Sequence, residues 1–498
     1  MSRQPPLSPA GRRQRAVALV ERYADLVSHP DALVEALLTP LPNSLWVNRL
    51  RMTAAELAEL LGDAGYSLRP LPWWGDGFQL PASSRPGQHW GFLAGLFQIQ
   101  EAAAMLPVRL LDPQPGERVL DLCAAPGNKT AQIAVAMANR GTVLANDGQR
   151  GRLAPLRQTV RRLGLANVVV TARDGQRLGV EAGLFDRILV DAPCTCEGTF
   201  RKVATPTLAS DDEIDRAARL QRALLAHAAR LLRPGGRLVY ATCTFAPEEN
   251  EAVVDALLEA YPGAFRVRPM PVPGLLTAPG VTHWRGLQYH PALVDAIRLW
   301  PHDNDGGGFF AVVLERVADG CAALPIPPPL PRRRLPCVAD ADHQAAFGTR
   351  FGIHSEQLAD LSLVRWGKRH WRLVSRDLDL PERLQPDAIG LPGVRRHSLP
   401  LKPTTAAVLL LGRHATRNRL ELDALALQRY RARDDLIMTV DDPSLADCTG
   451  PGYAIAMHRG QAIGMCQLIY ARDCPQVCVR SLYPAAWKPT AAVETQSS

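Results

Sequence analysis

Two cysteines stand just past two short apolar runs, Cys194 in Asp191-Ala-Pro-Cys194 and Cys243 in Tyr240-Ala-Thr-Cys243. A thiolate is a soft nucleophile, and a second thiol beside it suits covalent catalysis with its own release step. A planar, electron-poor ring is the fitting target. Carbon 5 of cytosine becomes nucleophilic once a thiolate adds to carbon 6. After methylation the carbon-5 proton must leave and the thioether must break, which a neighbouring thiol can assist. Asp191 is suited to hold ring nitrogen 3 by a hydrogen bond or a shared proton. Such a base has to be unstacked to reach the cleft. The residues alone leave open which thiol attacks.

A second constellation reads as a cofactor site. Asp121-Leu-Cys-Ala-Ala-Pro-Gly-Asn-Lys-Thr130 joins a strand to a helix through small residues, so a ligand can approach the backbone near the helix start. Asp147 ends the next strand, where a carboxylate can accept ribose hydroxyls, and Asp174 follows the third, within reach of an adenine amino group. The loop lacks G-x-G-x-x-G, and no second half follows that would cradle a pyrophosphate. S-adenosylmethionine therefore fits better than NAD. The plain alternative is that Asp147 and Asp174 only cap turns.

These residues need a scaffold, and the chain from Arg118 supplies one. RVLDLC, TVLAN, NVVVTA, DRILVD and RLVYAT alternate with helical segments, the longest being ASDDEIDRAARLQRALLAHAARLLR. Near-continuous apolar strands alternating with helices imply a mostly parallel, doubly wound α/β sheet covered on both faces. The usual strand order places the fourth strand beside the first and the fifth next to it. Cys194 and Cys243 then emerge on one side, with Asp191 between cofactor and thiols. Upstream, helical periodicity in AVALVERYADLVSHPDALVEALL and TAAELAELLGDAG flanks a short strand at Ser44–Arg49, and a helix is expected over Leu96–Leu110. Pro325–Pro336 reads as a stiff extended linker, and GYAIAMHRGQAIGMCQLIYA as part of a compact β-rich module. The expected division is 1–110 as an N-terminal helical and α+β module, 111–318 as the doubly wound domain, 319–340 as linker, 341–488 as the β-rich module and 489–498 as a disordered tail.

Composition bounds the partners. The 498 residues are 47% hydrophobic and 21% charged, with a formal net charge of +8, which favours a polyanion such as RNA. No apolar run suits a membrane span and no secretory signal opens the chain. Ten scattered cysteines fit reduced thiols in the cytoplasm. Cys196 forms a C-x-C with Cys194, but no partner C-x-x-C stands at ligand spacing, so no metal is expected. Cys123 reads as a small buried hydrophobe, and Cys321, Cys337, Cys448 and Cys466 carry no functional reading. Arg365–Arg372 interleaves tryptophans with cations, and Gly412–Arg419 is a second basic cluster; both could hold phosphates and stack on bases, or simply form packed hairpins. Arg332-Arg-Arg334 reads as solvated charge.

VLDLCAAPGNKT, DAPCTCEGTFRK and LVYATCTFAPEENE, in that order and spacing, resemble the Sun-type RNA 5-methylcytosine methyltransferases; FQIQEAAAMLPVRLL and RLWPHDNDGGGFFAVVLER are similar as well. The resemblance spans about residues 40–318, and with the C-terminal module it is nearest to the bacterial small-subunit rRNA methyltransferase F group. It implies a class I methyltransferase fold with S-adenosylmethionine and, at the other end, a PUA-like RNA-binding module. Cys243 is then the nucleophile, Cys194 the release cysteine, and Asp191 and Lys129 further catalytic groups. Cys123, Ala124, Ala125, Pro126, Gly127, Asn128 and Lys129 become the cofactor loop, with Asp147, Asp174 and Asp191 as additional contacts. Arg201 and Lys202 would lie near RNA phosphate. The implied partner is RNA, rRNA in the small ribosomal subunit above tRNA, with the chain a monomer. A non-catalytic ribosome-assembly factor is the alternative from another class. Thr195-Cys196 stands where many members have Ser-Gly, Asn128 where many have Gly, Trp46 where many have Arg, and Thr159 where Asn is common.

Overall fold

A computed structural model of the chain describes residues 7–179, 182–317, 324, 326, 328–367, 370–395, 402–471 and 474–487. Cys321, Lys368, Arg369, parts of the expected linker and the tail lie outside them. No helix among these residues is long and apolar enough to cross a membrane.

The N-terminal part begins with helices α1 (Pro9–Arg22) and α2 (Pro30–Leu38). Strands β1 (Asn43–Val47), β2 (Arg69–Leu71), β3 (Trp74–Leu80) and β4 (Phe97–Ile99) form an antiparallel sheet in the order β2-β3-β1-β4. Helix α3 (Ala54–Asp63) follows β1 and starts at a capping box in which Thr53 and Glu56 satisfy each other's free amides. The expected helix over Leu96–Leu110 is not formed as such. Its first residues are β4, drawn out by pairing with β1, and helix begins only with a 3-10 turn at Ala103–Met105 that leads into α4 (Leu106–Leu111), with Pro107 in its first turn.

The central sheet is built from β5 (Arg118–Asp121), β6 (Thr142–Asn146), β7 (Val168–Thr171), β8 (Phe185–Asp191), β9 (Leu232–Thr242), β10 (Ile297–Leu299) and β11 (Phe309–Arg316). Strands β5 to β9 are mutually parallel in the order β9-β8-β5-β6-β7, and β11 and β10 add antiparallel beyond β9. Alternate side chains face opposite layers. Val119, Val143, Val168 and Val239 enter one core with α5 (Asn128–Ala136) and α6 (Leu153–Leu163). Leu120, Leu144, Val169 and Leu238 enter the other, with α7 (Asp211–Leu231) and α8 (Glu251–Ala260). Helices α1 and α2 join this second core through Leu19, Val20, Tyr23 and Leu33, so they pack under the central sheet rather than with the N-terminal strands.

Beyond residue 328 the β-rich part contains two sheets. The first has β12 (Leu361–Arg365), β13 (His370–Ser375), β15 (Leu391–Arg395) and β16 (Lys402–Pro403), while β14 (Ala388–Ile389) leaves it to pair antiparallel with β7. The second has β17 (Arg419–Glu421), β18 (Leu436–Thr439), β19 (Gly452–His458), β20 (Gln461–Tyr470) and β21 (Gln476–Ser481). Leu420, Tyr430 and Ile463 of this last region share a core with Leu45, Leu57 and Phe97 of the N-terminal sheet. The described part of the Pro-rich segment is extended but anchored: Arg333 N donates to Leu380 O at 2.8 Å and Val338 N to Leu363 O at 2.8 Å. Arg332 pairs with Asp379, and Arg333 reaches Leu384 O, so the expected solvated charge at Arg332 and Arg333 is tied to the C-terminal fold.

One buried ion pair braces the catalytic end of the sheet. Arg298 Nε donates to Glu251 Oε1 at 2.7 Å and its Nη1 to Phe245 O at 2.8 Å, with both side chains almost fully enclosed. Removing one partner strands a buried charge. Arg298→Met is expected to lower unfolding free energy by about 3–5 kcal/mol in urea titration, with most of the loss recovered when Glu251→Leu is added. Equal stability of the single and double variants would contradict this.

Candidate active site

The register of the central sheet decides where the thiols go. Asp191 at the end of β8 pairs with Ala241 near the end of β9, so both chains leave the sheet at one level. The loops that follow bring Cys194 Sγ to 3.4 Å from Cys243 Sγ. Cys196 Sγ comes to 3.9 Å from Cys194 Sγ, a third thiol that sequence reading had set aside.

Buried carboxylates hold the two loops together. Thr195 Oγ1 meets Thr244 Oγ1 at 2.9 Å, and Glu249 accepts from Thr195 N at 3.1 Å and from Gln221 Nε2 at 2.7 Å. Glu197 Oε2 accepts from Thr244 Oγ1 at 2.9 Å and from Tyr23 OH at 2.8 Å. Burial raises the pKa of both glutamates, against the hydrogen bonds that lower it. Gly198 N donates to Cys243 O at 2.9 Å, and a Cβ on Gly198 would fall 2.3 Å from Gly308 O, so only glycine lets these loops touch. Glu197, Thr244 and Glu249 escaped the sequence reading. The available signal was Glu248-Glu-Asn-Glu251, an acidic run just after the second thiol that is too close to the sheet to be solvated.

Lys129, in the first turn of α5, donates to Asp191 Oδ2 at 2.7 Å. Burial alone would lower its pKa, but Asp191, then Cys243 and Asp121, outweigh it and the net shift is upward. The ammonium is therefore held charged next to Cys243 and over the Phe309 ring. Cys243 is pushed up: the hydrogen bond with Cys194 favours its thiolate, but Cys196, burial and Asp191 together outweigh that. Cys194 is raised as well, by its hydrogen bonds to the other two thiols and by burial.

A cavity of about 380 Å³ opens onto these groups. Cys123, Ala125, Pro126 and Lys129 line one side, and Asp191, Cys194, Cys196 and Cys243 the other. Lys202 is at its mouth, 3.8 Å from Glu101 of the N-terminal part. Ala124, Asn128 and Asp121 line an adjoining space of about 70 Å³. Gly127, with φ 106°, starts α5 against Leu156, where a Cβ would come within 2.7 Å. Asn128 Oδ1 accepts from Gln98 Nε2 at 2.6 Å, tying the loop to β4. Asp147 is buried behind the loop, accepting from Ala125 N at 3.2 Å and from Gln149 N at 2.9 Å. Asp174 is exposed, caps the turn at Gly175–Arg177 and backs onto Gly148. The capping expected as the plain alternative is thus realised at both; Asp147 also holds the loop through Ala125 N, whereas Asp174 lines neither cavity.

The donor set suits an amino-bearing, phosphate-free ligand. Asp121 is buried with its Oδ1 unpartnered among the described residues, and burial pushes its pKa up to about 7, against the Thr130 hydrogen bond. Asp121 and Asp191 line the space beside the loop, and the unpartnered Asp121 oxygen suits a ligand that carries an ammonium better than a polyphosphate. S-adenosylmethionine meets both conditions.

Two expected contacts change. Arg201 is enclosed: its guanidinium donates to Thr39 O, Gly306 O, Pro40 O and Asp305, which ties β8's loop to the N-terminal part and leaves nothing for RNA phosphate. Trp371 is buried in the core and Arg372 caps Ile389 O and Gly390 O, so that part of Arg365–Arg372 is packing rather than a stacking platform. In the second cluster Arg413 donates to Leu50 O at 2.6 Å, a contact between the two ends of the chain. Trp46, also buried, donates Nε1 to Gln100 Oε1 at 2.9 Å.

Comparison with known proteins decides the family. A family model described as 16S rRNA methyltransferase RsmB/F matches residues 108–315, and one described as the N-terminal domain of 16S rRNA methyltransferase RsmF matches residues 18–102. A ribosomal RNA small subunit methyltransferase F from Erwinia tasmaniensis is 33% identical over 438 residues, covering 84% of this chain and 88% of that protein. The chain belongs to the 16S rRNA methyltransferase RsmB/F family. It is an enzyme of the RNA (cytosine-5) methyltransferase class with S-adenosylmethionine as cofactor, as the resemblance implied. A tRNA (cytosine(49)-C(5))-methyltransferase from Pyrococcus abyssi is 37% identical over 301 residues, 60% of this chain and 95% of that one. Among solved structures, a methyltransferase homolog from Pyrococcus horikoshii matches with TM-score 0.55 and 33% identity over 62% of this chain and all of that one.

Proposed function

We propose that this enzyme methylates carbon 5 of a cytosine in small-subunit ribosomal RNA through a covalent adduct on Cys243. The observation that carries it is the pair of thiols 3.4 Å apart at the ends of two adjacent parallel strands, inside the cavity that the cofactor loop lines.

The roles follow from what each side chain touches. Cys243 Sγ adds to carbon 6 of the flipped base; what supports it over Cys194 is the resemblance to the Sun-type enzymes, in which the nucleophile stands at the position of Cys243. Lys129 and Asp191, paired at 2.7 Å, supply an acidic donor and an acceptor toward the ring's nitrogen 3 and amino edge, which makes carbon 6 more electrophilic. When bound, S-adenosylmethionine supplies the electrophilic methyl. Residues Cys123–Lys129 with Asp147, Asp174 and Asp191 would hold it, and the unpartnered oxygen of Asp121 would be available to an amino group. Release then removes the carbon-5 proton, and its electron pair restores the ring double bond as the thiolate of Cys243 departs. Cys194 assists that step from 3.4 Å.

An RNA partner is supported by the net charge of +8 and by Lys202 at the cavity mouth. A separate cavity of about 570 Å³ between α6 and the C-terminal sheets is lined by Arg161, Arg395 and Lys402 with no carboxylate among the described residues, which suits a phosphate chain. The preference for small-subunit rRNA over tRNA is supported by the Erwinia relative named for small-subunit rRNA, which matches over 84% of this chain and 88% of its own length, whereas 95% of the archaeal tRNA enzyme is matched by only 60% of this chain. We place the enzyme in the cytoplasm, where thiols stay reduced, acting as a monomer and without a metal in the reaction. Bisulfite mapping of total RNA from cells with and without the protein is expected to show one cytosine in small-subunit rRNA losing protection. Loss confined to tRNA would replace the substrate, and no change in any RNA would refute the activity.

A further inference from the structure

The reaction uses two thiols, but three converge. Cys196 adopts a left-handed backbone conformation (φ 62°) that folds its side chain back onto the loop. Its Sγ stands 3.9 Å from that of Cys194, which is 3.4 Å from that of Cys243, and all three lie within 4.8 Å of one another. A metal ion held by thiolates at about 2.3 Å places tetrahedral sulfurs about 3.8 Å apart. The three separations bracket that value, so the sulfurs already stand near the corners of a coordination sphere.

Sequence spacing hides this set, because C-x-C supplies only two ligands and the third arrives from the neighbouring strand. The frame around it is rigid: the Thr195–Thr244 hydrogen bond and the Gly198 N to Cys243 O bond lock one loop to the other. Little reorganisation is needed to bring all three sulfurs to one ion. Three sulfurs and no hard oxygen cage select soft or borderline ions over Mg²⁺ and Ca²⁺. Cys196 is exposed, and the cavity leaves the fourth position open to water.

We propose that Cys194, Cys196 and Cys243 form a three-sulfur site for a thiophilic metal ion of the Zn²⁺ class, and that its binding switches methyl transfer off by taking both reactive thiols. Three sulfur–metal bonds form and the thiol protons pass to solvent; nothing is oxidised or reduced. Binding therefore strengthens with pH. Inhibition, though not binding, rests on the proposed use of Cys194 and Cys243.

Titration of the purified full chain with Cd²⁺, under a phosphine reductant, tests the site. Wild type is expected to show a sulfur-to-cadmium charge-transfer band that saturates at one equivalent and that Zn²⁺ competes away. Cys196→Ser should lose about a third of the band and bind Zn²⁺ about tenfold more weakly or worse. Zn²⁺ should silence wild-type methyl transfer and a chelator restore it, while Cys196→Ser should need about tenfold more free Zn²⁺ or more for the same inhibition. Absence of the band in wild type, or an unaltered band in Cys196→Ser, overturns the site. Full turnover with metal bound overturns the switch. A persistent band in a protein that methylates no RNA would leave the metal site standing and refute the proposed function instead.

Discussion

Cys243→Ala is expected to reduce methyl transfer by about four orders of magnitude or more while RNA binding persists, the scale on which enzymes lose a nucleophile. Without the sulfur adduct carbon 5 of cytosine does not attack a methyl group, so no slower route through the same cavity remains. The fold should survive. The backbone carbonyl of Cys243 still accepts from Gly198 N, and the loop stays anchored through Asn250, which accepts from Thr242 Oγ1 at 2.6 Å and donates to Thr244 O at 3.1 Å. Labelled-methyl incorporation, read beside a binding assay on the same RNA, separates loss of chemistry from loss of affinity. Unchanged incorporation would remove Cys243 from the attacking role. The pH dependence carries the same assignment. The pKa of Cys243 is displaced upward, since Cys196, burial and Asp191 outweigh the hydrogen bond with Cys194, and only the thiolate attacks. When chemistry limits the rate, turnover should therefore climb with pH through the neutral range, by up to about tenfold per unit.

Cys194→Ala should produce the opposite symptom, a first half-reaction without its second. The adduct forms, methyl transfer proceeds once, and the protein accumulates on its RNA because departure from carbon 6 is no longer assisted. A band of RNA-linked protein that survives denaturing electrophoresis, absent in Cys243→Ala and in the double variant, is the expected result. If cofactor-bound Cys194→Ala turns over freely and leaves no such band, Cys194 has no part in release. The 3.4 Å separation is what makes the outcome sharp: removing one sulfur leaves the other in place, and the Thr195–Thr244 bond keeps the loop set.

How far these sites could be read from the chain depended on the range of the forces that build them. Val119 and Leu120 alternate between two cores, so the parallel sheet and its order were legible from strand patterning, and the meeting of Cys194 with Cys243 followed from that order. Arg201 was not legible. A cation beside a catalytic motif reads as a phosphate contact, yet its partners are carbonyls of Thr39, Pro40 and Gly306, brought in from both directions along the chain. The meeting of Cys196 with the other two thiols was not legible for a related reason, because it depends on the register of two strands. The helix expected near Leu96–Leu110 failed because edge pairing with β1 drew its first residues into a strand, which local periodicity does not weigh.

The two-residue strand at Ala388–Ile389 has a meaning larger than its size. It covers the outer edge of β7, and Asp387 N and Gly390 N add bonds to Val170 O and Val168 O on either side of it. A chain ending before this point would leave β7 as a bare hydrogen-bonding rim, a template for any other strand in the cell. The C-terminal region thus closes this edge of the central sheet. A minimal version of this enzyme would have to be designed around that rim before its active site was considered.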